Sequence, residues 1–305
     1  MSTEFCGLEL AHPVVNGSGT FDALAALGVF GATLAEDFPF AAYVSKTITL
    51  APRDGNPPPR LWETAGGLIN SIGLPNRGVE HYMAEELPRM TFTARDDGRA
   101  RPVPVITNVM GASAAEITEL LGRCEQADGV AAVELNVSCP NVTTGLDIGA
   151  DPEVLGAVIE EVRPVLTKPL IVKLTPNTAD VAACAAAAAG AGADAVSLIN
   201  TLRAMALAPD GSGPWLGGRT GGLSGPAIRA VALAQVAEVC DAVAVPVVGM
   251  GGVQSARHAA ALIAVGAQLV AVGTETFRDP AAPRRIAQGL RELAPIQRGP
   301  VPRRA

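Results

Sequence analysis

Short apolar runs bounded by Gly, Pro or Asn recur along the chain: PVVNGSG from Pro13, AAYVSKT from Ala41, PVPVITN from Pro102, VAAVELN from Val130, PLIVKL from Pro169, DAVSLINT from Asp194, VPVVGMGG from Val245 and LVAVGT from Leu269. Most are unbroken rather than alternating, the pattern of strands covered on both faces in a parallel sheet. Helical segments lie between them: Ala114 to Gln126, Asp151 to Leu166, Thr178 to Ala191, Gly225 to Val239 and Ser255 to Val265. Eight such runs alternating with helices predict an α/β fold, the (β/α)8 or TIM barrel. Barrels of this kind often reach 305 residues as one unit, so a single domain over residues 1–305 is expected.

The runs end in polar residues: Asn16-Gly17-Ser18-Gly19, Lys46-Thr47, Asn108, Asn136, Lys173, Asn200-Thr201, Gly249 to Gly252, and Gly273-Thr274. In a barrel the loops that follow the strands build the active site. Asn and Gly also serve as ordinary turn residues, but that does not account for two lysines at strand ends, because lysine is seldom buried without an anion to meet. Two inter-run spans, 48–101 and 202–224, are rich in Gly and Pro and predict long irregular insertions over the C-terminal face. Residues 296–305 read as a frayed tail.

Composition narrows the function classes. Hydrophobic residues make up 49% and charged residues 17%, which predicts a large core and argues against disorder. A formal charge of −7 offers no basic footprint for nucleic acid. MSTEFCGLELAHP lacks a basic stretch followed by an apolar core, and the Ala-rich segment from Val181 to Ala191 is too short to span a bilayer, so a cytoplasmic protein is expected. The cysteines, Cys6, Cys124, Cys139, Cys184 and Cys240, are scattered without a CxxC pair. They predict no disulfide framework and no zinc or iron–sulfur site.

The glycines after the last two runs, in VVGMGGV and AVGTETF, let backbone N–H groups approach phosphate oxygens. Gly251, Gly252, Gly273 and Thr274 are the candidates. After the first run NGSGTFD does not match the GxGxxG dinucleotide pattern, so a mononucleotide such as FMN fits better than NAD. In ELNVSCPNV, residues 134–142, a cysteine stands between asparagines. Taken alone, Cys139 could be a core residue or a group that does chemistry.

The motifs SKTITLAPRDGNPPPRLWET, NSIGLPNRGVE, ELNVSCPNV, VKLTPN, SLINTL, GGLSGPAI and PVVGMGGV together resemble the catalytic subunits of class 1B dihydroorotate dehydrogenases, from about Asn16 to Pro280. Gly17 departs from the alanine common in that family. The resemblance implies a barrel that binds FMN and oxidises dihydroorotate to orotate in pyrimidine biosynthesis. It implies that Cys139 is the catalytic base, that Lys46 serves flavin and substrate together, and that Asn70, Ile72, Gly73, Leu74, Asn136, Asn141, Asn200 and Thr201 bind the substrate. Lys173 is implied at the flavin's pyrimidine edge, with Ser18, Gly19, Thr47, Asn108, Asn136, Ile199 and Gly225 among the other flavin contacts. It further implies a homodimer of catalytic chains docked with a second subunit carrying FAD and a [2Fe–2S] centre, a heterotetramer that passes electrons to NAD. A dihydrouracil-type flavin dehydrogenase and a fumarate-linked, class 1A-like dihydroorotate oxidase are the alternatives within the fold.

These residue types suit the chemistry. Forming the C5–C6 double bond removes a proton from C5 and a hydride from C6, and a thiol with a pKa near 8.5 becomes a competent base when neighbours favour its thiolate. The substrate is a cyclic diamide with a carboxylate. Asparagine offers donors and an acceptor in one planar group to match its alternating edge.

Overall fold

The structure is a computed structural model that describes residues 2–96, 99–137 and 148–293. Eight parallel strands form its central sheet: β1 (Val14–Asn16), β2 (Tyr43–Val44), β3 (Val105–Val109), β4 (Ala132–Asn136), β5 (Leu170–Lys173), β6 (Ala195–Leu198), β7 (Val247–Met250) and β8 (Leu269–Val272). Each apolar run supplies one strand. Their order, β1-β8-β7-β6-β5-β4-β3-β2, is that of a barrel in which every strand lies beside its sequence neighbour. The last gap, between β1 and β2, is bridged by Ala41 N–H to Val14 O at 2.9 Å and by the side chain of Asn16.

The helices between the strands follow from patterning and caps. In Ala114–Gln126 the buried residues Ile117, Leu120, Leu121 and Cys124 form one stripe at helical spacing. Ser113 caps its start by accepting from Glu116 N–H; Asp151, Asp180 and Ser255 do the same for the helices Pro152–Val162, Val181–Gly190 and Ala256–Ala264. The predicted Gly225–Val239 helix is a 3-10 turn, Pro226–Ile228, running into Arg229–Ala242. Strands β3 to β8 are buried at every position, as their unbroken apolar runs require.

The two insertions, expected to be irregular, contain ordered strands. Leu61–Thr64, Gly67–Asn70, Leu202–Ala204 and Gly221–Ser224 join in one antiparallel sheet, with Gly222 opposite Asn70 across 152 residues of sequence. Its small core of Ile69, Ala206 and Leu216 is backed by Trp62, Ala204 and Leu223. Neither insertion can bury these residues alone, so the sheet depends on pairing between distant segments. A further hairpin, Thr93–Asp96 with Arg99–Pro102, ends the first insertion. Among the described residues, no helix is long and apolar enough to cross a membrane.

Candidate active site

One cavity of about 400 Å³ opens at the C-terminal ends of the strands, within the range of small-molecule sites. Strand ends supply its floor, and the antiparallel sheet supplies a wall through Leu61, Leu68 and Asn70. The structure brings together Ser18, Gly19, Lys46, Thr47, Asn70, Ile72, Gly73, Leu74, Asn136, Lys173, Ile199, Asn200, Thr201, Gly225, Gly251, Gly252, Gly273 and Thr274 on its lining. Cys139 and Asn141 lie outside the described residues.

Asn108 does not reach the lining. Strand register explains why: Asn108 pairs with Glu134, whereas Asn136, two residues further along β4, lines the cavity and pairs with Lys173. Asn108 therefore lies one layer down. There its Nδ2 donates to Glu134 Oε1 at 2.6 Å, and its Oδ1 is buried without a partner.

The two lysines differ in setting. Lys173 is 5% exposed at the end of β5, and among the described residues it forms no ion pair. Lys46 is accessible from the cavity, yet the surrounding walls remove enough water to hold its pKa below the usual lysine value. Asp22 and Glu86 oppose that desolvation, and Arg60 adds to it.

Polar side chains around the lysines are held in fixed orientations. Asn136 Nδ2 donates to Thr47 Oγ1 at 3.3 Å, and Ser18 Oγ donates to Ser45 O at 2.8 Å. Asn70 Nδ2 donates to Gly222 O at 3.2 Å, while Asn200 Oδ1 accepts from Thr201 N–H at 2.9 Å. Asn177, which sequence reasoning passed over, steadies Thr201 by donating to its carbonyl at 3.0 Å. Its place in VKLTPN was the available signal.

At the opposite end the loops after β7 and β8 meet. Among the described residues, no protein acceptor takes the N–H groups of Gly251, Gly252, Gly273 or Thr274. Gly251 has φ 136°, and a Cβ there would lie 2.4 Å from Ala232 Cβ, so only glycine lets this backbone face the cavity. Ser224 and Thr274 are joined at 2.9 Å. Gln254 bridges the loops by donating to Glu275 at 2.7 Å while accepting from Arg229 at the same distance. Ser224, Gln254 and Glu275 also line the cavity and were not anticipated, because their roles depend on contacts between loops.

This donor set fits a flavin mononucleotide: free backbone N–H groups for a phosphate at one end, and amides with a buried ammonium for a polar ring at the other. Among the described residues, no group of three or more His, Cys, Asp and Glu side chains could hold a metal.

Comparison with known proteins gives a consistent result. A family model described as dihydroorotate dehydrogenase matches residues 1–294. The chain is 46% identical over 291 residues to the protein of Pelobacter propionicus named dihydroorotate dehydrogenase B (NAD(+)), catalytic subunit, covering 95% of this chain and 92% of the relative. A protein of the same name from Desulforudis audaxviator is 45% identical over 290 residues, covering 94% and 90%. Among solved structures, the dihydroorotate dehydrogenase of Eimeria tenella, in complex with ferulenol, superposes with a TM-score of 0.73 at 22% identity, covering 95% of this chain and 83% of that one. At that identity the likeness speaks for the fold.

Proposed function

The chain belongs to the dihydroorotate dehydrogenase family, and from that premise we propose how its cavity oxidises dihydroorotate to orotate. The observation that carries the reading is the two-ended cavity, with unpaired loop N–H groups at one end and Lys46, Lys173 and the asparagines at the other. Bound FMN supplies the hydride acceptor. Gly251, Gly252, Gly273 and Thr274 would hold its phosphate, and Lys173 would face the ring. A fixed cation there favours the reduced, more negative flavin.

Asn70, Asn136 and Asn200, with Asn141, present donors and acceptors to the substrate's diamide edge. Backbone N–H groups of Ile72 to Leu74 and the Lys46 ammonium meet its carboxylate. Gly73 and Leu74 have φ of 75° and 57°, a consecutive left-handed pair that curls this segment. Cys139 takes the C5 proton. It is three residues from Asn136, within about 10 Å of chain, and the described residues on either side of its segment are packed together. A Cβ on Gly149 would lie 2.4 Å from Val137 O.

Two relatives are named as the catalytic subunit of an NAD(+) enzyme. We infer a partner subunit bearing FAD and a [2Fe–2S] centre, assembled on a homodimer of this chain. The purified chain should be yellow and should reduce an artificial dye when given dihydroorotate. It should produce little NADH until the partner is added. Preference for dihydrouracil would overturn the substrate, and brisk NADH formation by the chain alone would overturn the partner.

A further inference from the structure

Only two charged side chains are buried among the described residues, Glu134 at 3% exposure and Lys173 at 5%. They stand on adjacent strands with side chains on the same inward face. Glu134 pairs with Ile171 and Asn136 with Lys173, so the backbone of Glu134 lies two residues below that of Lys173. Strand spacing and rise put their Cα atoms roughly 8 Å apart. No direct ion pair joins them. Glu134 instead accepts from Asn108 Nδ2 at 2.6 Å and from Ser197 Oγ at 2.8 Å, one donor to each oxygen.

That arrangement has a definite polarity. An ionised carboxylate only accepts, so Asn108 must turn its nitrogen toward Glu134 and its unpartnered Oδ1 away. A buried carboxylate with two donors is held by hydrogen bonds but is not neutralised by them. The other buried charge among the described residues is Lys173, on the adjacent strand one layer above. With no ion pair between them, the carboxylate acts on the ammonium through the low-dielectric interior of the barrel, where the field of a charge is less screened than in water.

We propose that Glu134 is a positioning residue: its carboxylate, clamped by Asn108 and Ser197, is the fixed counter-charge to Lys173 at the cavity lining and limits how strongly the lysine would favour reduction of a bound flavin. The proposal rests on the flavin reading above. Neither substrate nor flavin needs to touch Glu134, because the cavity lining ends one layer above it.

The test is the midpoint potential of the FMN-loaded protein. Glu134→Gln removes the charge but can still accept from Asn108 and donate to Ser197. Its midpoint should rise by at least a tenfold change in the reduction equilibrium, about 30 mV for two electrons, with FMN affinity changed less than threefold. Ser197→Ala keeps the carboxylate and should leave the midpoint in place while lowering the melting temperature. If Glu134→Gln does not fold, Glu134→Met, with a similar volume and no charge, is read in the same way. An unmoved midpoint in the charge-free variant, or equal shifts in it and in Ser197→Ala, overturns the assignment. Failure of the wild-type protein to bind FMN overturns the flavin reading and this assignment together.

Discussion

The side-chain amide of Asn16 engages both backbone groups of Val44: Nδ2 donates to Val44 O at 2.7 Å, and Oδ1 accepts from Val44 N–H at 2.8 Å. In this way one residue on β1 performs the work of a ladder pair with β2 and closes the barrel where strand pairing stops. The seam adjoins the cavity, because the next residues, Gly17 and Ser18, line it.

Asn16→Asp should therefore destabilise more than the loss of one bond, since an acidic oxygen would face Val44 O in place of the donor. With the site 1% exposed, a cost of about 2–3 kcal/mol is expected. Urea denaturation of both proteins measures it. A stability within about 0.5 kcal/mol of wild type would mean that the seam is held elsewhere.

Lys46 gives a pH dependence with a defined sign. Its folded pKa lies below the usual lysine value, chiefly through desolvation, so Lys46 loses its charge earlier than a surface lysine as pH rises. Affinity for orotate should be full below that folded pKa and should fall as pH rises through it. Binding on the alkaline side should also take up a proton, because a carboxylate bound beside Lys46, as proposed, favours the ammonium. Calorimetry in buffers of different ionisation enthalpy detects that uptake, and Lys46→Met should abolish it.

Thiol chemistry should single out one cysteine. Burial pushes Cys124 up to about 12 and Cys6 up to about 11, and Cys184 is also raised. Thiols so held react slowly with alkylating agents. Iodoacetamide at neutral pH should inactivate the enzyme with modification at Cys139, and orotate should protect it. Cys139→Ala should bind orotate but lose about 10²–10⁴-fold in turnover. Inactivation that tracks labelling of Cys6 or of the half-buried Cys240 instead would contradict the assignment.

Gly251→Ala adds one methyl group where φ is 136° and Ala232 Cβ would be only 2.4 Å away. The backbone must shift at the end of the cavity proposed for the phosphate. FMN affinity should fall at least tenfold while riboflavin, which lacks the phosphate, is affected less. Fluorescence titration of the apoprotein with each compound separates the two, and parallel losses would remove Gly251 from the phosphate site.

Residue order alone determined the strands. Each of the eight apolar runs became one barrel strand, because a strand covered on both faces must be apolar at nearly every position. The polar residues that end those runs were legible for the same reason. A barrel gathers its strand ends on one face, so Lys46, Asn136, Lys173 and Asn200 meet there although up to 154 positions separate them. Tertiary structure alone decided what depends on register and on contacts between loops. Asn108 resembled a lining residue until its pairing with Glu134 put it one layer down. The antiparallel sheet was hidden because Asn70 and Gly222 find each other only once the barrel has brought their insertions together. The buried carboxylate of Glu134 lay unremarked inside an apolar run. A sequence shows that a charge is present, but only the packed strands show which neighbours hold it and how far away the opposite charge stands.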